Sequence, residues 1–492
     1  MPLPTEWSAP TKAPTLEPGS GPILYQSDDD KVFLIDVPTS IVDAQNVLHS
    51  DEYAMSNVLL SCPPLEMPFS STEPKSKAAV ENVKRHSRDV DLHLLYSRLA
   101  QEGLSRIRSS CDVQMSFCLP RLVMPEVREQ GKKRKADFPA LKSLENHNIN
   151  TKSDLNIESD SRKNSASSVK LSMLLSDLVK GTQSDHLKHA SWKVCPPPSS
   201  PTPNENQPGE FNIIKWDCSF HSKADKPVRL SVSDPTKPPH SPPFHFKIPP
   251  HSAFLLADCN SPSAFRSAAR TLTATTPTHR FNFILLDPPW PNRSAKRRAS
   301  YTIRSNLQSV TNLLLSMDLD MEILPGGFIA VWTTNKSACR EHVLGPGGLF
   351  ETWNVGLVEE WIWLKVTSGG EPVTQIDGVW RKPYEVLLIG QAPESSMVVA
   401  REAGKVVRRV VVGVPDLHSR KPCLKRVVER VLLKGVEDYA ALEVFARYLV
   451  AGWFSWGDEV LKYNWYGYWT GHEEDKREPR PQYPTASDAT LI

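Results

Sequence analysis

Phe281-Asn282-Phe283-Ile284-Leu285-Leu286-Asp287-Pro288-Pro289-Trp290 is the stretch on which the reading of the chain turns. Five of its first six residues are apolar, the composition of a strand buried on both faces of a sheet. It ends in a carboxylate, two prolines and an indole. Proline has no N–H to give a sheet ladder, so Pro288-Pro289 ends strand pairing and leaves Asp287 and Trp290 beyond the carboxyl edge. Open α/β sheets bind their ligands at that edge. A bare Asp-Pro-Pro reads as a strand-ending turn. With Trp added, the four-letter string arises by accident in roughly one chain in a thousand of this length.

The rest of the composition places the core late in the chain. Of 43 prolines among 492 residues, 28 precede residue 251, whereas 10 of 13 tryptophans follow it. A net charge of +2 leaves any attraction to a polyanion to local patches. The cysteines at 62, 111, 118, 195, 218, 259, 339 and 423 form no C-x-x-C pair and have no His cluster beside them. That argues against zinc sites and disulfide frameworks and for a reducing compartment; no metal is expected. Met1 to Pro14 has neither a basic start nor an apolar core, and no run approaches the ~18 apolar residues of a membrane span. The expectation is a soluble protein with no membrane partner.

Residues 1–20 are Pro- and Ser-rich and read as a disordered lead. Ile23 to Gln26 and Val32 to Asp36 suggest two strands around an acidic turn, followed by a helix at Ile41 to Leu48. Val90 to Ile107 carries a helical apolar stripe, and 21–125 reads as a small N-terminal module. Residues 126–209 read as a basic and polar low-complexity linker. It holds Lys132-Lys133-Arg134-Lys135, either a solvated charge run or a nuclear import signal or phosphate contact, and a short helix at Val169 to Val179 that would order against a partner.

Residues 210–472 read as the globular domain and 473–492 as a loose tail. Strands are expected at Ser252 to Ala257, Phe281 to Leu286, Gly327 to Thr333, Val358 to Val366, Glu385 to Ile389, Val406 to Val412 and Leu442 to Phe445. Helices fall at Pro262 to Leu272, Ser305 to Asp318, Lys336 to Val343 and Pro422 to Leu433. Their alternation is that of an α/β fold with a mostly parallel sheet covered on both faces.

No G-x-G-x-x-G follows an early strand, and neither G-x-x-x-x-G-K-[ST] nor G-x-S-x-G is present, so dinucleotide, triphosphate and acyl-transfer sites lack support. The Asp287 tip suits methylation of an exocyclic amine. An aromatic amine is a poor nucleophile because its lone pair is delocalised into the ring. Two acceptors, the Asp287 carboxylate and the Pro288 carbonyl, can hold its N–H bonds so that the lone pair faces an incoming methyl group. Pro289 and Trp290 offer flat surfaces for a base. Asn292, Arg293, Lys296, Arg297, Arg298, Tyr301 and Arg304 follow at once, either a basic surface helix start or a set of phosphate contacts.

Taken with Arg381-Lys382-Pro383-Tyr384-Glu385, Leu417-His418-Ser419-Arg420-Lys421-Pro422, Phe445-Ala446-Arg447, Gly452-Trp453 and Trp456-Gly457-Asp458-Glu459-Val460, the Asp-Pro-Pro-Trp segment resembles the MT-A70-like family of nucleic-acid adenine-N6 methyltransferases, and within it the methyltransferase-like-four branch. The likeness covers roughly Phe211 to Trp469. It implies a Rossmann-like methyltransferase sheet with permuted connectivity, preceded by a partly disordered N-terminal region. It further implies S-adenosylmethionine as cofactor, nucleic acid as substrate with RNA of the small nuclear type favoured over DNA, and a nuclear location.

By the same resemblance, Asp287, Pro288, Pro289 and Trp290 are the catalytic string. Asp258 and Cys259 meet the cofactor's adenine through backbone groups, Asp287 tolerates its sulfonium, Lys421 and Arg447 hold its carboxylate and ribose side, and Asp458 with Glu459 reach the ribose hydroxyls. Asn292, Lys296, Arg297, Tyr301, His418 and Ser419 contact the substrate. The residues themselves leave blander readings open: Asp258 as a helix cap, Lys421 as the approach to a helix, and His418 as structural. Asp458 stands where the family commonly has Asn; a carboxylate accepts from hydroxyls but cannot donate, which implies altered cofactor affinity. The alternative from another class is a catalytically silent nucleic-acid-binding partner. Family members of that kind have lost the string, which is intact here.

Overall fold

Both faces of the Phe281–Leu286 strand are buried, as its apolar run requires: Phe281, Ile284 and Leu286 join one core cluster, Phe283 and Leu285 the other. The structure is a computed structural model that describes residues 21–46, 58–70, 76–77, 90–110, 116–124, 166–181, 191–195, 212–215, 219–232, 242–260, 262–272, 280–291, 306–378, 381–395, 398–400 and 404–470. The expected lead at 1–20, the Lys132–Lys135 run and the tail at 473–492 lie outside the described residues.

In chain order the strands are β1 (Ile23–Gln26), β2 (Val32–Ile35), β3 (Ser191–Cys195), β4 (Asn212–Lys215), β5 (Ser219–His221), β6 (Val228–Val232), β7 (Phe244–Ile248), β8 (Ala253–Leu256), β9 (Phe281–Leu286), β10 (Ile323–Thr333), β11 (Gly356–Lys365), β12 (Tyr384–Gln391), β13 (Val407–Gly413), β14 (Ala441–Val444) and β15 (Phe454–Gly457). The main helices are α1 (Val37–Asp43), α2 (Val90–Ser110), α3 (Ala166–Gly181), α4 (Pro262–Leu272), α5 (Leu307–Leu315), α6 (Ser337–Leu344) and α7 (Lys425–Val431). Among the described residues, none of the helices is long and apolar enough to cross a membrane. Cys62, Cys118, Cys259, Cys339 and Cys423 are free thiols.

Among the described residues eleven strands form one sheet in the order β1-β2-β13-β11-β12-β10-β9-β14-β15-β8-β5. All run parallel except β1, β12 and β5, so the carboxyl ends of β11, β10, β9, β14, β15 and β8 share one rim. β9 is the switch point: β10, which follows it, lies on one side, and β14, from much later in the chain, on the other. One face is covered by Tyr96, Ala100, Leu104 and Ile107 of α2, Phe265 of α4, Val310 of α5 and Val343 of α6. The opposite face meets Ile41 of α1, Val427 and Val428 of α7, and the four-stranded sheet β4-β3-β6-β7 through Leu230, Phe246 and Ile248.

The expected module at 21–125 is not a separate unit. β2 pairs in parallel with β13 and extends the large sheet, because Phe33 and Ile35 on one face and Val32 and Leu34 on the other need cover that a two-stranded hairpin cannot give. α2 lies across these strands. A Cβ on Gly103 would meet Val410 Cγ1 at 3.1 Å, so with glycine there the helix seats on β13 without pushing Val410 aside.

The first helix starts at Val37, earlier than expected, because Asp36 caps it by accepting from the Thr39 N–H at 3.0 Å. The presumed linker at 126–209 contains α3 and β3. Leu171, Leu174, Leu175 and Leu178 of α3, spaced for one helical face, are buried in the second core cluster, so the partner expected for this helix is the chain's own domain.

Candidate active site

Pro288 and Pro289 end β9 as expected, and Asp287 stands at the rim with its side chain 26% exposed. Trp290 does not present the open face read from the sequence. Its indole is 7% exposed, sits in the first core cluster, and donates its ring N–H to the Trp332 carbonyl of β10 at 2.6 Å. Burying so large an apolar ring with its one donor satisfied fixes the turn, so Trp290 holds Asp287 in place from below. The Trp290 backbone N–H donates to the Pro288 carbonyl at 2.7 Å. That oxygen keeps a second lone pair for a substrate.

Lys421, from the loop after β13, reaches Asp287 Oδ1 at 3.2 Å and donates to Glu385 Oε2 at 2.9 Å. Glu385, at the start of β12, also pairs with Lys365 at the end of β11. Burial alone would depress Lys421, but Asp287 and Glu385 more than offset it and hold the ammonium above the usual lysine range. Burial likewise works against the Glu385 carboxylate; the two lysines overcome it and hold the group well below the usual carboxylate range. The Lys421 ammonium lies 5.2 Å over the Trp332 ring and 6.0 Å over Trp363. An ammonium has three donors, and two carboxylates leave one for a ligand.

On the other side of Asp287 stands Glu443 of β14, opposite Leu285 of β9 and 8% exposed. Burial, then the charge of Asp287, pushes its carboxyl up to about 8, with Arg447 opposing. Glu443 is therefore protonated at neutral pH while its neighbour Asp287 is paired with Lys421.

Past Val444 the chain turns sharply through Phe445, at φ 61°, and Gly457 lets the ends of β14 and β15 close together: a Cβ there would meet the Ala446 oxygen at 2.8 Å. Arg447 then donates to the Ser419 carbonyl at 3.1 Å and pairs with Glu459 at 3.4 Å, tying the lysine loop to the acidic pair. Asp458 reaches solvent but is hemmed by protein; that crowding, then the charge of Glu459, raises its carboxyl to about 6 against the pull of Arg447, with Asp258 adding to the rise. Asp258 itself accepts from the Asn260 N–H at 2.9 Å, a local turn rather than a helix cap. Cys259 is buried, its thiol pushed well up by desolvation and by Asp458.

The structure thus brings Asp287, Lys421, Arg447, Asp458, Glu459, Asp258 and Cys259 to one rim spanning β9, β14, β15 and β8. His418 is exposed, with its Nδ1 2.9 Å from Ser419 Oγ, and Ser419 takes a left-handed backbone at φ 66°. Arg420 between them and Lys421 is the buried anchor of this loop, paired with Asp416 at 2.6 Å and stacked 4.4 Å from the Tyr463 ring. Asn292, Lys296, Arg297 and Tyr301 lie outside the described residues.

Sequence reading missed Lys365, Glu385 and Glu443 as site residues. A lone carboxylate in the apolar run Ala441-Leu442-Glu443-Val444 was the available signal for one of them. Among the described residues no group of three or more His, Cys, Asp or Glu could hold a metal ion.

The rim fits S-adenosylmethionine by its donor set: a spare ammonium donor beside Asp287 suits a carboxylate, and an accessible carboxylate at Asp458 suits ribose hydroxyls. From β9 to β8 is three strand spacings, about 14 Å, room for an amino acid joined to a nucleoside.

The MT-A70 family model matches residues 281–459, from the start of β9 through the acidic pair. The chain is 46% identical over 190 residues to the N6-methyladenosine RNA methyltransferase MTA1 of Cryphonectria parasitica, covering 38% of this chain and 54% of that protein. It is 33% identical over 234 residues to the human N(6)-adenine-specific methyltransferase METTL4, 46% of each chain. It is 30% identical over 236 residues to a DNA N6-methyl methyltransferase of Caenorhabditis elegans, 48% of this chain and 56% of that one. The chain spans about half the length of these relatives.

Proposed function

From the premise that the chain carries an MT-A70 domain over residues 281–459, we propose that it transfers methyl from S-adenosylmethionine to the N6 amine of adenine in nucleic acid, with RNA of the small nuclear type favoured over DNA. The observation that carries this is the Asp287–Lys421–Glu385 arrangement at the switch point of the sheet. The Asp287 carboxylate takes one N–H of the amine, and the Pro288 carbonyl, through its remaining lone pair, takes the other. Held so, the nitrogen lone pair points off the ring plane. The methyl group would come from the sulfonium of the bound cofactor, which leaves as a neutral thioether, and the proton shed by the methylated nitrogen would pass to the Asp287 carboxylate that holds its N–H. Glu385 keeps Lys421 in place when Asp287 engages the amine, and Trp290, pinned to Trp332, keeps the Asp287 turn from drifting.

Lys421 and Arg447 would hold the cofactor's carboxylate and ribose side, Asp458 and Glu459 its ribose hydroxyls, and the backbone at Asp258–Cys259 its adenine. The preference for RNA is supported by the relative with 46% identity, named for RNA, against 30% for the one named for DNA. Nuclear placement is supported by the run Lys132-Lys133-Arg134-Lys135; a reporter fused to residues 131–136 that stays cytoplasmic would count against it. Incubation with isotope-labelled cofactor and separate RNA and DNA fractions, followed by nucleoside mass analysis, tests the substrate. Label in N6-methyladenosine is expected; label confined to N6-methyldeoxyadenosine would move the assignment to DNA.

A further inference from the structure

A strap at 58–70 runs along the rim and ends beside the site. Leu60 donates its N–H to the Tyr468 carbonyl at 2.8 Å, Cys62 donates to Asp416 Oδ1 at 3.1 Å, and the Leu60 carbonyl accepts from Arg420 at 2.9 Å. Farther on, Ser368 donates to Leu65 O at 2.8 Å and Phe69 to Val373 O at 2.9 Å. Val373 in turn donates to Lys365 O at 3.1 Å, and Lys365 pairs with Glu385, which holds Lys421 against Asp287. Phe69 is therefore two backbone spacings, about 10 Å, from the Lys365 main chain, on a wall continuous with the catalytic tip.

Two large apolar side chains of this wall face outward. Phe69 is 40% and Met67 71% exposed, although both are large and apolar. Thr374, next to Val373, donates to the Arg381 carbonyl at 3.1 Å, which brings exposed Arg381 and its neighbour Lys382 to the same wall. An exposed aromatic that shares a wall with two cations beside a base-binding tip has the chemistry of a single-strand nucleic-acid platform: a ring for a base, cations for phosphates. Glu66, Glu371 and Asp377 are exposed acidic groups on the same segments and repel phosphate, so the phosphate contacts fall to Arg381 and Lys382.

We propose that Phe69, supported by Met67, stacks on a base flanking the target adenine of a single-stranded nucleic acid, with Arg381 and Lys382 contacting the adjoining phosphates. This rests on the nucleic-acid reading of the site but not on methyl transfer, so it is tested by binding. The full chain is titrated against a fluorescein-labelled nine-residue oligoribonucleotide containing one adenine, read by anisotropy, and against adenosine monophosphate, read by calorimetry. Phe69→Ala is expected to raise Kd for the oligonucleotide about tenfold, and Phe69→Trp to restore it, because the variant indole again offers a flat face to the base. The ratio of variant to wild-type Kd for the mononucleotide is expected to stay close to 1.

Equal Kd for wild type and Phe69→Ala on the oligonucleotide overturns the platform, and so does equal weakening on both ligands, which would mark a structural role. A change of particle mass by light scattering in Phe69→Ala with no change in oligonucleotide Kd also overturns it, in favour of a protein contact. If wild type binds the strand through Phe69 yet forms no labelled product, the platform stands and the catalytic reading alone falls.

Discussion

Replacing Glu443 with Gln should stabilise the protein, and by an amount that grows with pH. Glu443 is buried beside Asp287, and its carboxyl is raised from an ordinary 4.5 to about 8. A raised acid favours its neutral form in the fold, so its contribution is fully present below the unfolded value and is lost as pH rises toward the folded one. At pH 7 the unfolded chain has ionised this group and the folded chain has not, a deficit of about 2.5 units at 1.36 kcal/mol each, near 3 kcal/mol as an upper figure. At pH 5 the same reckoning leaves under about 1 kcal/mol.

Gln keeps the shape and hydrogen-bonding character of the neutral acid but cannot ionise. Urea unfolding followed by tryptophan fluorescence at pH 5, 6, 7 and 8 should show the Glu443→Gln advantage widening by about 3 kcal/mol across the series. A gap that does not change with pH, or a variant less stable than wild type at pH 8, would refute the placement of a buried, protonated carboxyl next to Asp287.

Lys247, 9% exposed with its ammonium 4.5 Å from the Trp469 ring, is lowered to about 8 by burial. Lys247→Met should raise stability by about 1–3 kcal/mol at pH 7, a gain that shrinks between pH 8 and 10.5 as the folded wild type sheds its proton; thermal unfolding at both ends of that range checks it. Asp458, raised to about 6, should make the affinity for S-adenosylhomocysteine fall several-fold as pH drops from 7.5 to 5, whereas Asp458→Asn should titrate flat by calorimetry. Trp290→Phe removes the bond to Trp332 O at 2.6 Å and should cost about 1–2 kcal/mol of stability together with turnover; loss of neither would show that the indole does not brace the tip.

The strand at 281–286 could be read directly from an apolar run closed off by two prolines, and the helix at 262–272 from apolar residues at helical spacing. β15 was missed because Phe454–Gly457 is four residues of aromatic and small side chains that could pass for a turn. β1 and β2 were recognisable as strands, but their partner is β13, nearly 380 residues later, and no local pattern encodes so distant a pairing. The same holds within the site. Asp287 announces itself by its string, whereas Glu385 and Glu443 gain their roles only from which strand ends the sheet sets side by side. Trp290 shows the opposite limit: its residue type suits both stacking and bracing, and only the packing beneath β10 decides for bracing.

The most direct measurement is methyl transfer from labelled S-adenosylmethionine to an adenine-containing single strand by purified wild-type chain and Asp287→Asn, with circular dichroism and cofactor binding recorded on both. The account predicts labelled N6-methyladenosine from wild type and a loss of about a thousandfold or more in the variant, with its fold intact. Transfer by Asp287→Asn at the wild-type rate would contradict it.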